Sequence, residues 1–139
     1  MAGEIYQSYL STATLYALVF RPSDGYIWDT TGTPAFEAVG TWNDARVGNC
    51  DIPLTASGDF HKATFPAGIT TAGTYVVQIR LQAGASPDTD DMILSQGFME
   101  WDGTQEITIS LLNTNTNRVD NVIQPVELPE GTDKARIYI

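Results

Sequence analysis

The stretch TYVVQIRLQ, from Thr74 to Gln82, decides the fold class. Tyr75, Val77, Ile79 and Leu81 alternate along it with Val76, Gln78 and Arg80. A period of two puts the first set on one face of a β-strand and the second set on the other. One face is apolar and the other mostly polar, which predicts a strand in a sheet with one buried face.

The same period runs through the neighbouring stretches. In TLYALVF (Thr14 to Phe20), Tyr16, Leu18 and Phe20 alternate with Leu15, Ala17 and Val19. Both sets are apolar, the pattern of a strand covered on both sides. RPSDG carries the Pro, Asp and Gly of a turn, and YIWD reads as the returning strand. TTGTPAFEAVGTWNDARVGN reads as loops around a short strand near Phe36. CDIPLTA predicts a strand with an edge-type Pro53, and FHKATF another after the turn SGDF. MILSQGFMEW (Met92 to Trp101) predicts a strand in which Gly97 marks a bulge, and EITISLL (Glu106 to Leu112) a further one. Seven or eight short strands at roughly ten-residue spacing, with no convincing amphipathic helix, predict an all-β sandwich.

The chain has 139 residues, 42% of them hydrophobic, enough for one domain with a modest core. Its formal charge of -10 opposes binding to nucleic-acid phosphates and to anionic membrane surfaces. The start, MAGEIYQSYL, reads as no signal peptide. The single Cys50 allows no internal disulfide, which fits folding in a reducing cytoplasm. The composition divides the chain into an N-terminal arm (1–11), the sandwich (12–112) and a C-terminal extension (113–139). The extension follows the polar break NTNTN and is too apolar for a pure linker, with alternating short apolar residues and a final ARIYI. Residues 1–112 hold four bases and 13 acids, a sum of -9, whereas 113–139 hold three and four, a sum of -1. That tail can approach another acidic copy with little repulsion, and such a segment can add a strand to a sheet edge.

Four groups of residues are candidates for chemistry. SPDTDD places Asp88, Asp90 and Asp91 within four positions. Calcium takes six to eight oxygens, but this loop lacks the spacing and distal Glu of an EF-hand. The preferred reading is a solvated hairpin tip, with calcium as the weaker alternative and no other cofactor expected. His61 is the only histidine; it has no G-x-S-x-G partner, and a Cys50–His61 pair has no local support, so no catalytic residues are assigned. Trp28, Trp42 and Trp101, with Tyr26, offer a sugar-stacking platform if exposed, or core if buried. Tyr75 follows TAG, the setting in which a sandwich tyrosine bonds back to the backbone at a corner.

Three blocks carry a resemblance. They are TATLYALVFRPSDGYIWDTTGTPAFEAV (Thr12 to Val39), FHKATFPAGITTAGTYVVQIRLQAGASPDTDD (Phe60 to Asp91) and GFMEWDGTQEI (Gly97 to Ile107). Together they resemble small immunoglobulin-like structural proteins of tailed bacteriophages. The resemblance implies an immunoglobulin-like β-sandwich with an extended C-terminal arm and a non-enzymatic virion role, as capsid decoration or a neck, tail or fibre accessory. It implies a protein made in the bacterial host cytoplasm that works through contacts with other virion proteins, as a homo-oligomer or bound to a lattice. The anchors expected on this reading are Tyr6, Tyr9 and Leu10 at one end, and Val122, Ile123, Val126, Ile137, Tyr138 and Ile139 at the other. The alternative is a carbohydrate-binding or adhesion β-sandwich.

Overall fold

A computed structural model describes residues 3–107. The expected anchors Val122, Ile123, Val126, Ile137, Tyr138 and Ile139, and most of the stretch EITISLL, lie outside the described residues. Within them, nine strands and one short helix form two antiparallel sheets, the architecture of an all-β sandwich. The strands are β1 (Ile5–Ser8), β2 (Leu15–Arg21), β3 (Tyr26–Asp29), β4 (Ala35–Glu37), β5 (Ile52–Pro53), β6 (Thr55–Ser57), β7 (Phe60–Ala63), β8 (Gly73–Leu81) and β9 (Met92–Trp101); the helix is α1 (Asp44–Cys50). One sheet has the order β1-β7-β6, and the other β4-β3-β2-β8-β9 with β5 paired to β2. Residues 5–8 are thus sheet strand β1, and Ile5 is buried in the core.

Strand β2 is apolar on both faces because both are covered. Leu15, Ala17 and Val19 enter the main core with Trp28, Phe65, Tyr75, Val77, Ile79, Met99 and Trp101. Tyr16 and Leu18 turn the other way, into a second cluster with Ile27, Val47 and Cys50. Val47 and Cys50 come from α1, which corrects the expectation of no helix. Asn43 caps it, its side chain accepting a hydrogen bond from the Arg46 N–H at 2.9 Å. Arg46 then ties the helix to β3 through Asp29 at 2.7 Å and to the carbonyls of Ala38 and Val39.

Strand β8 lies between β2 and β9. Tyr75, Val77 and Ile79 face the core as expected, but Gln78 and Arg80 on the other face are also buried. The reading of one buried face is therefore corrected: Asp88 to Asp91, the Trp42 ring and α1 lie over that face. A second correction concerns β9. Gly97 pairs in regular register with Val77, and the shift falls where Ile79 faces Ser95 and Arg80 faces Ile93, making Leu94 the extra residue.

The chain leaves β9 through a tight turn. Asp102 Oδ1 accepts the N–H groups of Thr104 and Gln105, and Gly103 takes φ +105°. A Cβ at Gly103 would stand 2.7 Å from the Thr70 carbonyl oxygen, so only glycine fits. The turn brings Glu106 opposite Trp101, and the Ile107 N–H donates to the Glu100 carbonyl.

Candidate interaction surface

The register across three strands sets Phe20, Val76 and Phe98 side by side on the outer face of the larger sheet. Phe20 packs partly against the second cluster, Val76 is half-buried and Phe98 is 74% exposed. The row therefore runs from covered to open, ending at β9, the outermost of the described strands. Ile93 and Met92, further along β9, are exposed as well. From Met92 to Met99 the strand carries no charge, between Asp91 and Glu100. Edge strands are ordinarily guarded by charge or proline. Among the described residues, the Met92–Met99 stretch of β9 has only the irregularity at Leu94, while Ile107 pairs with the strand's far end at Glu100.

Backbone groups alternate sides along a strand. The Glu100 carbonyl accepts from Ile107, so it points away from β8. By alternation, the N–H and C=O groups of Phe98 and Gln96 point the same way. Beside them lies a groove of about 260 Å³ between β9 and β1. Ile5, Val77, Ile79 and Met99 line its apolar part, and Glu4 and Glu106 line it too. The Ser95 hydroxyl, donating to Gln7 at 2.7 Å, ties β9 to β1.

The expected anchors Tyr6 and Leu10 are both exposed, at 60% and 63%, whereas Tyr9 packs partly against the core. Tyr6 stacks on Phe60, with ring centroids 5.7 Å apart, on the three-stranded sheet. Phe60 and Phe98 were not among the expected residues. For Phe98 the sequence signal is its alternation with Met99 and Trp101, which puts it on the face opposite the core.

The acidic loop does a structural job. Asp91 is 5% exposed, which corrects the solvated-tip reading for this residue. Its carboxylate accepts from the Tyr16 hydroxyl at 2.7 Å and from the N–H groups of Asp88 and Ala83 at 2.9 and 3.1 Å. Burial alone would raise the Asp91 pKa. The Tyr16 bond, the two N–H groups and the Arg80 charge outweigh it and hold the carboxyl below the usual range. Burial, then the bond to Asp91, pushes the Tyr16 hydroxyl up. Arg80 donates to Gln78 at 2.8 Å and to the Asp88 and Thr89 carbonyls, fastening the loop to β8. Asp88 accepts from the Asp90 N–H, and Asp90 is exposed. Among the described residues, no group of three or more His, Cys, Asp or Glu side chains is placed to hold a metal ion.

The remaining candidates are dispersed. Cys50 is buried under α1, where burial pushes its thiol up to about 11. His61 sits in β7 with its Nε2 3.0 Å from the Leu10 carbonyl. Trp28 and Trp101 are core residues, and the Trp101 indole donates to the Ile69 carbonyl. Trp42 and Tyr26 are each 36% exposed. The Tyr75 hydroxyl donates to the Thr71 carbonyl at 2.6 Å, four residues upstream. No protein-family model matches the chain, and neither a curated protein nor a solved structure matches it.

Proposed function

We propose that this chain is a non-enzymatic structural protein of a tailed-phage virion, an immunoglobulin-like β-sandwich serving as capsid decoration or as a neck, tail or fibre accessory. The observation that carries this reading is the apolar row Phe20–Val76–Phe98, which ends on β9 within its charge-free stretch Met92–Met99, the last of the described strands in its sheet. A row of this kind is the surface a protein–protein contact uses. The corner bond of Tyr75 supports the immunoglobulin-like assignment, because sandwiches of that class place a tyrosine in this way. The partners are other virion proteins and further copies of the chain, reached through this surface and through the nearly neutral tail.

Light scattering after gel filtration tests the reading on the full chain and on a 1–112 truncation. A defined oligomer that becomes a monomer on truncation supports assembly through the tail. Two monomers, combined with saturable retardation in glycan gels that Trp42→Ala abolishes, would replace it with the carbohydrate-binding alternative.

A further inference from the structure

We infer that the outer face of the sheet β1-β7-β6 receives the tail stretch PVELPE (Pro125 to Glu130) of a second copy of the chain. This rests on the reading above that copies assemble through the tail, and it names the surface the tail meets. The register sets two rows across the three strands, Tyr6, Lys62 and Thr55 in one and Ser8, Phe60 and Ser57 in the next. All six residues are exposed. The Tyr6 and Phe60 rings stack with centroids 5.7 Å apart. Lys62 stands beside both, in the same row as Tyr6 and two residues from Phe60 on β7. The face is thus an apolar patch with one cation at its side.

Charge selects the occupant. None of the six residues is acidic, in a chain of formal charge -10. Among the described bases, Arg21 and Arg46 hold carboxylates and Arg80 is buried, so Lys62 is the one left exposed. The face therefore attracts a carboxylate and opposes a base. In the tail, ARIYI carries Arg136 close behind Lys134, whereas PVELPE carries Glu127 and Glu130 and no base. In an extended segment alternate residues share a side, about 6.5 Å apart. That puts Val126, Leu128 and Glu130 on one side: two apolar side chains at nearly the spacing of the two rings, then a carboxylate for Lys62. Pro125 and Pro129, on the other side, favour an extended backbone. The tail sums to -1 against -9 for residues 1–112, so a second copy meets least repulsion when it approaches tail first.

The test is light scattering after gel filtration on the full 139-residue chain. The expected wild-type result is a defined oligomer. Lys62→Glu and Glu130→Lys each bring like charges together and should weaken association by about tenfold or more. Mixing the two variants in equal amounts should restore the oligomer, because each tail then meets a face of opposite charge on the other variant. Tyr6→Ser removes one of the stacked rings and should also dissociate it. A synthetic peptide of residues 123–131 in excess should dissociate the wild-type oligomer. The same peptide carrying Glu130→Lys should not, which tests the contact without altering the folded chain.

Unchanged association in both charge variants overturns the inference. A mixture that stays dissociated overturns it as well, because no contact then runs from the tail of one copy to the face of another. A monomeric wild type does the same. If the oligomer survives both variants but is lost in the 1–112 truncation, this inference falls and assembly through the tail stands. If the truncation leaves the oligomer intact, both fall.

Discussion

Strands β8 and β9 lie side by side in one sheet, yet their outer faces have opposite fates. On β8 the outward residues Gln78 and Arg80 are polar and buried. On β9 the outward Phe98 is apolar and 74% exposed. The difference lies in what covers each strand. The acidic loop, with Asp91 anchored on Tyr16, folds over the upper part of β8. It supplies carbonyl acceptors for the Arg80 guanidinium, which is why that charge can leave water. No described element lies over Phe98. Burial follows the placement of a cover, and the polarity of the residue follows from whether that cover can satisfy it.

Removing the anchor gives the largest expected effect. Asp91→Ala leaves the Tyr16 hydroxyl and two backbone N–H groups without their acceptor. Hydrogen bonds to a charged group contribute about 1.5–3 kcal/mol each and do not add fully, so a loss of about 4 kcal/mol is expected. Urea unfolding measures it, and a loss under about 1 kcal/mol would show that the loop does not hold the outer face. The same carboxyl sets a pH dependence. Its folded pKa lies below the unfolded value of about 3.9. Its stabilisation is therefore complete above that value and is lost as pH falls through the lower, folded one. Asp29, for which burial is likewise outweighed by Thr31 and Arg46, adds in the same direction. The melting temperature should hold from pH 7 to about 5 and fall below about 4, less steeply in Asp91→Asn.

The turn that ends β9 comes next. Gly103→Ala meets the Thr70 oxygen and is strained by its positive φ, so a loss of about 2 kcal/mol is expected in the same assay. Tyr75→Phe should cost less, about 1 kcal/mol, because it removes one bond to Thr71 while the ring keeps its packing on Phe36 and Phe65. A tyrosine held only by packing would give no loss.

The fold was readable where the sequence states both sides of a contact. The two apolar sets of β2 required two covers, and two were found. The second cover was not readable as a helix. DARVGNC is seven residues long, ends in the poor helix formers Gly48 and Asn49, and buries only Val47 and Cys50. Its one local signal is Asn43, a capping residue just before it. The burial of Arg80 depends on carbonyls eight and nine residues away, which no period of two encodes. Of the candidate surface, Tyr6 and Leu10 were legible because apolar residues among polar ones near a terminus stand out. Phe98 was not, since its exposure depends on β9 being the outermost of the described strands, and strand order is a property of the whole sheet.

The smallest expected change carries the sharpest contrast. Hydropathy alone would rank loss of Phe98 as costlier than loss of Arg80. The structure reverses that order. Arg80→Thr leaves the Gln78 Oε1 without its donor and empties the space under the loop, an expected loss of about 2–3 kcal/mol. Phe98→Thr removes a ring that is already in water and places a β-branched residue on an edge strand. Its expected effect is within about 0.5 kcal/mol of zero. Urea unfolding of the two variants side by side measures the gap. A Phe98→Thr loss matching that of Arg80→Thr would mean the ring is covered in the full chain. Near-neutral stability would mean that Phe98 contributes little to the fold.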